Sequence, residues 1–152
     1  MDNHAKGRLL VTIQFLLLGG IAFITSDNIF GSNKVISYFG VFLELAGFAL
    51  VIVGFRGLGP ALTANPVPLK TGKLVTTGIY RKLRHPIYAG LIVATLGIVV
   101  ANGAMIKFVF WVPLVLLLTF KIKFEEALLV ATYPAYAKYQ AEVGALIPKF
   151  KN

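Results

Sequence analysis

Charged residues divide the chain into four apolar stretches of unequal length. Leu9 to Ser26 carries no charge, and Val35 to Phe55 carries one, Glu44. Ile87 to Ile106 is again uncharged, and Phe108 to Phe120 follows after a single lysine. A helix needs roughly 20 apolar residues to cross about 30 Å of hydrocarbon. The first three stretches approach that length. The fourth reaches it if Asn102-Gly103 turns the chain, so that the helix runs from Ala104 to Phe124 and Lys121 and Lys123 snorkel to the headgroups. The pattern therefore predicts an all-α integral membrane protein, a single domain over 1–152 with four transmembrane helices at about 9–26, 35–55, 86–101 and 104–124. The last two form a tight hairpin.

The one sizeable polar connection runs from Arg56 to His85, between the second and third helices. Its prolines and glycines forbid a long helix, and a connection of this length is usually functional or disordered. "KLVTTGIY" within it mixes β-branched and apolar residues, which predicts an ordered segment packed against the membrane surface. Pro86 suits the first position of the third helix, where its missing N–H costs nothing, and His85 then falls at the N-cap. After the fourth helix, Tyr133, Tyr136 and Tyr139 recur every three residues, which predicts a C-terminal amphipathic helix ended by Pro148. That helix is long enough to fold back and cover the loop.

Composition confirms the class: 57% of residues are hydrophobic and the mean hydropathy is +0.79. The net charge of +9 would suit a nucleic-acid partner, but its distribution points elsewhere. Lys and Arg number two before the first span, six between the second and third, and five at and beyond the end of the fourth, thirteen of fifteen in all. Positive charge favours the cytoplasmic side, which places both termini and the long loop there. The surplus then serves orientation and anionic membrane lipids, not nucleic acid. With no cysteine and only two histidines, disulfides and a transition-metal site are not expected. The N-terminus lacks a cleavage signal, so the first span reads as a retained helix.

Four groups could carry chemistry. Arg84-His85-Pro86 with Tyr80 and Tyr88 reads equally as a set of interfacial anchors or as an anion site at a helix N-terminus. Glu125 and Glu126 are adjacent on a helix and so diverge; one can enter a site while the other is solvated. Glu44, alone within the second span, is either functional or hydrogen-bonded to a neighbouring helix. Thr71-Gly72-Lys73 lacks the strand–helix setting of a phosphate loop and is rejected as one.

"KLVTTGIYRKLRHPIYAG", then "KFEEALL", then "YPAYAKYQ" resemble the isoprenylcysteine carboxyl methyltransferase family of integral membrane methyltransferases over about residues 65–148. Its hallmark is Arg-His-Pro-x-Tyr followed one hairpin later by Glu-Glu, here Arg84 to Tyr88 and Glu125-Glu126. The resemblance implies S-adenosyl-L-methionine as cofactor, held by Leu74, Val75, Tyr80, His85, Tyr88 and Glu125, with Arg84 and Glu125 as catalytic residues. Leu74 and Val75 would lie in a strand-like lead-in. Lys121 stands where the family has its substrate-carboxylate arginine, and Glu44 is a second candidate for the substrate. The acceptor would be a small lipophilic molecule, an isoprenoid or lipid carboxylate or a lipid amine, entering between helices. Alternatives are an NADPH-dependent sterol-type membrane reductase and a non-enzymatic four-helix scaffold or transporter.

Overall fold

A computed structural model describes residues 2–25, 33–63, 65–68 and 74–149. The connection after the first span and the Thr71-Gly72-Lys73 segment lie outside the described residues. Within them the chain forms α1 (Asn3–Phe23), α2 (Lys34–Leu58), α3 (Pro86–Asn102), α4 (Phe108–Thr132) and α5 (Tyr136–Glu142), the all-α membrane fold expected from the pattern. In hydrocarbon each backbone N–H and C=O must find its partner within the segment, and helices satisfy that condition. The helix starts are fixed by side chains: Asp2 accepts from the Ala5 N–H at 2.6 Å, and Asn33 from the N–H groups of Val35 and Ile36. Gly103, in the left-handed conformation at φ 61°, ends α3 and turns the chain into α4.

Three segments are long and apolar enough to cross a membrane: Asn3–Phe23, Lys34–Ala61 and Met105–Thr132. The expected third span is the shorter α3, whose 17 residues rise about 25 Å. A turn of 3-10 helix, Met105–Lys107, precedes α4, which begins at Phe108 and continues to Thr132, beyond the expected end at Phe124. The C-terminal amphipathic helix is also shorter than expected. Pro134, which disfavours helical geometry in Tyr133, separates it from α4, and α5 keeps only seven residues. Beyond α5, Gly144 pairs with Leu83 in an isolated parallel bridge instead of continuing a helix to Pro148.

Packing follows two different rules. Gly40, Gly47 and Gly54 recur every seventh residue along α2 and let it lie directly on α3. A Cβ on Gly47 would run into the Ala94 backbone, one on Gly40 into Ala101, and one on Gly97 of α3 into the Glu44 backbone. Small residues permit this approach where burial of apolar surface supplies no drive, since lipid tails are equally apolar. Where α1, α3 and α4 meet, larger side chains interlock: Ile21, Val99, Leu114 and Leu118 are almost wholly buried. The Trp111 indole donates to the Ile92 carbonyl at 3.2 Å and ties α4 to α3. Leu16, Phe39, Phe42 and Leu116 stay exposed on the outside of the bundle, as lipid-facing residues do.

Candidate active site

The α3–α4 hairpin returns the chain to the end of the bundle that carries the long loop. There the first turn of α3 meets the last turns of α4, and α1, α2 and the loop enclose a cavity of about 370 Å³ against them. One side of it is polar, lined by Tyr80, His85, Tyr88, Lys121 and Glu125. The other is apolar, where Val11, Phe15 and Leu18 of α1 face Val51, Phe55 and Leu58 of α2. Asn65 reaches over α1 and donates to the His4 carbonyl at 3.3 Å, which brings the proline-rich loop across the top.

Behind the polar wall, Glu126 gathers four side-chain partners. Arg84 Nε donates to its Oε1 at 2.7 Å, and His85 Nε2 lies 3.0 Å from the same oxygen. Gln140 Nε2 donates to Oε2 at 2.7 Å, and the Tyr136 hydroxyl to Oε1 at 3.3 Å. The same guanidinium of Arg84 also donates through Nη1 to the carbonyls of Gln140, at 2.9 Å, and Val143. Backbone pairing completes the arrangement: the N–H groups of Arg84 and His85 donate to the carbonyls of Gly144 and Ala145 at 2.9 and 3.0 Å. The start of α3, the end of α4 and the C-terminal segment are thus one hydrogen-bonded unit. Such a network is strong only when every member is satisfied, and here no buried side-chain donor or acceptor among the described residues lacks a partner.

The adjacent carboxylates diverge as helix geometry requires, Glu125 toward the cavity as expected, but the other does not go to solvent. Glu126 is buried at 8% exposure and not solvated. Glu125 turns to the cavity, where it accepts from the Tyr88 hydroxyl at 2.7 Å. Tyr88 in turn stacks on His85, with ring planes 5° apart. Tyr80 reaches the site from a 3-10 turn, Gly78–Arg81, and is locked there: its hydroxyl donates to the Gly54 carbonyl, and its own carbonyl accepts from Tyr139 at 2.5 Å. Burial pushes the Tyr80 and Tyr136 phenols well above their ordinary range, with the carboxylates of Glu125 and Glu126 respectively adding to it. Burial likewise pushes Tyr139 up to about 12, Arg84 opposing and Glu126 assisting. All three phenols are therefore neutral donors at physiological pH.

The remaining expected residues divide. Leu74 and Val75 line the cavity, but from irregular backbone; the described residues contain no strand. Lys121 does not snorkel. It is buried at 2% exposure, donates to Gln14 Oε1 at 2.8 Å and sits over the Tyr88 ring, because the inward face of α4 leaves it no path to the headgroups. Glu44 is half-buried beside Gly97 and is not among the residues lining the cavity. Sequence reasoning gave no role to Gln14 or Gln140 and underrated Glu126. For Gln14 a signal existed, a primary amide inside an uncharged apolar run; for Glu126 only the position of Arg84 in space could reveal its partner.

No curated protein matches the chain at a significant level. A family model described as phospholipid methyltransferase matches residues 35–136, from the start of α2 to the start of α5. The matched stretch contains both halves of the polar wall and the hairpin that joins them, and on that match the chain belongs to the phospholipid methyltransferase family, a family of integral membrane methyltransferases.

Proposed function

We propose that this membrane methyltransferase uses S-adenosyl-L-methionine and methylates a small lipophilic acceptor at the cytoplasmic membrane face. The observation that supports it is the two-sided cavity, polar where α3 meets α4 and apolar between α1 and α2. Its volume of about 370 Å³ falls within the roughly 300–1,000 Å³ usual for small-molecule sites. The donor set fits the cofactor: Glu125 offers a carboxylate to a cationic group, while His85, Tyr80, Tyr88, Leu74 and Val75 offer hydrogen bonds and aromatic or apolar faces. When bound, the cofactor would supply an electrophilic methyl group on a positively charged sulfur.

What the chain contributes is alignment in a dry site. An in-line displacement needs its partners held close and oriented, and no nucleophilic side chain need form a covalent intermediate. Tyr88 fixes Glu125, His85 stacks on Tyr88, and Glu126 fixes His85 and Arg84 from behind. Glu126 and two backbone carbonyls take the donors on Nε and Nη1 of Arg84 and hold its guanidinium in place, while Arg84 itself lines the cavity beside His85, where it can act on the bound molecules. The lipophilic acceptor occupies the apolar side, with Lys121 at the boundary between the two. The charge distribution favours a cytoplasmic location for this end of the bundle and for both termini.

Calorimetric titration tests the cofactor. Losing one charge-assisted hydrogen bond costs about 1.5–3 kcal/mol, roughly ten- to a hundredfold in affinity. Glu125→Ala and Tyr88→Phe are each expected to weaken adenosylmethionine binding by up to that order. Binding of NADPH and not of adenosylmethionine would select the reductase reading; binding of neither would select the scaffold.

A further inference from the structure

We propose that His85 is a general base of the methyl transfer, taking a proton from the acceptor at Nδ1 while Glu126 holds Nε2 from behind. This deepens the methyltransferase reading and rests on it for the reaction. It names the acceptor by its chemistry, as an amine or a hydroxyl that gives up a proton.

The two ring nitrogens have different surroundings. Nε2 lies 3.0 Å from Glu126 Oε1. The same oxygen accepts from Arg84 Nε at 2.7 Å, and an ionised carboxylate paired with a guanidinium has no proton to give. The proton between His85 and Glu126 therefore belongs to Nε2, and the neutral imidazole keeps its lone pair on Nδ1. His85 stands at the N-cap of α3, where Nδ1 could accept from the first N–H groups of the helix, but its side chain makes no cap bond. No hydrogen bond among the described residues uses Nδ1. Every fully enclosed side-chain donor or acceptor among them is paired, so Nδ1 is not enclosed, and the space that His85 lines is the cavity.

The ring is also held in orientation. Tyr88 stacks on it with centroids 5.4 Å apart, and Gln140 and Tyr136 fix the Glu126 carboxylate at 2.7 and 3.3 Å. A carboxylate behind an imidazole sets its tautomer and stabilises the imidazolium, without itself taking the proton. Arg84 on the same oxygen enforces that division. In the transfer, the acceptor's lone pair forms the new bond to the methyl carbon, and the carbon–sulfur bond breaks with its electrons going to sulfur. The acceptor's proton goes to Nδ1, and the positive charge on the ring faces Glu126. A carboxylate acceptor has no proton to lose and would leave this pair without a use. An amine or a hydroxyl needs it.

The test uses the purified full chain in nonionic detergent at mildly alkaline pH. His4 and His85 are its two histidines, so His4→Asn protein labelled with nitrogen-15 histidine reports on His85 alone. Magnetic resonance is expected to show a proton on Nε2 and none on Nδ1, a preference lost in Glu126→Gln; a proton on Nδ1 instead overturns the proposal. Turnover is read as S-adenosylhomocysteine released with dodecylamine, dodecanol or dodecanoate. At least one of the first two is expected to be methylated. His85→Gln, whose amide N–H can keep the bond to Glu126, is expected to lower kcat on that probe about a hundredfold or more. Its effect on the KM for adenosylmethionine, and on transfer to dodecanoate, is expected to be at least about tenfold smaller. Equal losses on all methylated probes mark a purely structural histidine and overturn the proposal, as does methylation of dodecanoate alone or of no probe. Calorimetry separates the two levels. No binding of adenosylmethionine overturns the methyltransferase reading and the base with it, whereas binding without the tautomer or the split between acceptors overturns the base alone.

Discussion

Replacing Glu126 by alanine removes the carboxylate on which Arg84, His85, Tyr136 and Gln140 converge. Arg84 and Glu126 are both buried, with side-chain exposures of 8% and 10%. Breaking such a pair from one side strands a buried cation, which typically costs about 3–5 kcal/mol. Two of the Arg84 contacts survive, to the carbonyls of Gln140 and Val143, so the lower half of that range is expected. Glu126→Gln keeps the shape and loses the charge, for a smaller cost of about 1–3 kcal/mol. Glu125 gives the contrast. It accepts from Tyr88 at the cavity wall, so Glu125→Ala should cost about 0.5–1.5 kcal/mol of stability and act mainly on cofactor affinity. Unfolding free energies in mixed detergent micelles, measured beside adenosylmethionine titrations, separate the two residues. If Glu126→Ala is as stable as wild type, or if Glu125→Ala is the more damaging to stability, the division between a buried anchor and a cavity carboxylate is wrong.

The α2–α3 contact makes a steric prediction: Gly47→Leu should prevent stable folding, because its Cβ alone meets the Ala94 backbone, whereas Gly19→Leu, with open space around it, should melt like wild type. Alkaline pH should unfold the protein by a defined route. The folded state keeps Tyr139 neutral up to about 12 against an ordinary 10.0, so the stability this confers is complete below pH 10 and is lost as pH rises toward 12. Tyr80 and Tyr136, shifted the same way, act in the same window, and the melting temperature should fall throughout it, less steeply in Tyr139→Phe. For topology, cysteines placed at Lys82 and Asn33 should label from opposite sides, Lys82→Cys only from the cytoplasm; labelling of both from one side would overturn the orientation.

The apolar runs by themselves determined that this chain is helical and lies in a membrane. In hydrocarbon the backbone has few alternatives to a helix, and stretches of that length and composition have no other stable solvent. The hairpin was legible for a local reason too, since Asn102-Gly103 supplies the left-handed residue that ends α3. Arg84 to Tyr88 and Glu125-Glu126 were legible as a pattern that belongs together. Their division of labour was not. Which of two adjacent carboxylates enters a cavity depends on the rotation of α4 about its axis, and that follows from the packing of Leu114, Leu118 and Trp111 against α1 and α3. The fate of Lys121 had the same origin. A lysine near a helix end ordinarily reaches for the headgroups, but α1 lies across its path and offers Gln14 instead, 107 positions away in sequence. The length of the C-terminal helix was likewise decided by tertiary contact, because Gly144 and Ala145 give their carbonyls to the backbone of Arg84 and His85. Local sequence fixes what each segment can be; these pairings between distant segments fix what the residues on them face.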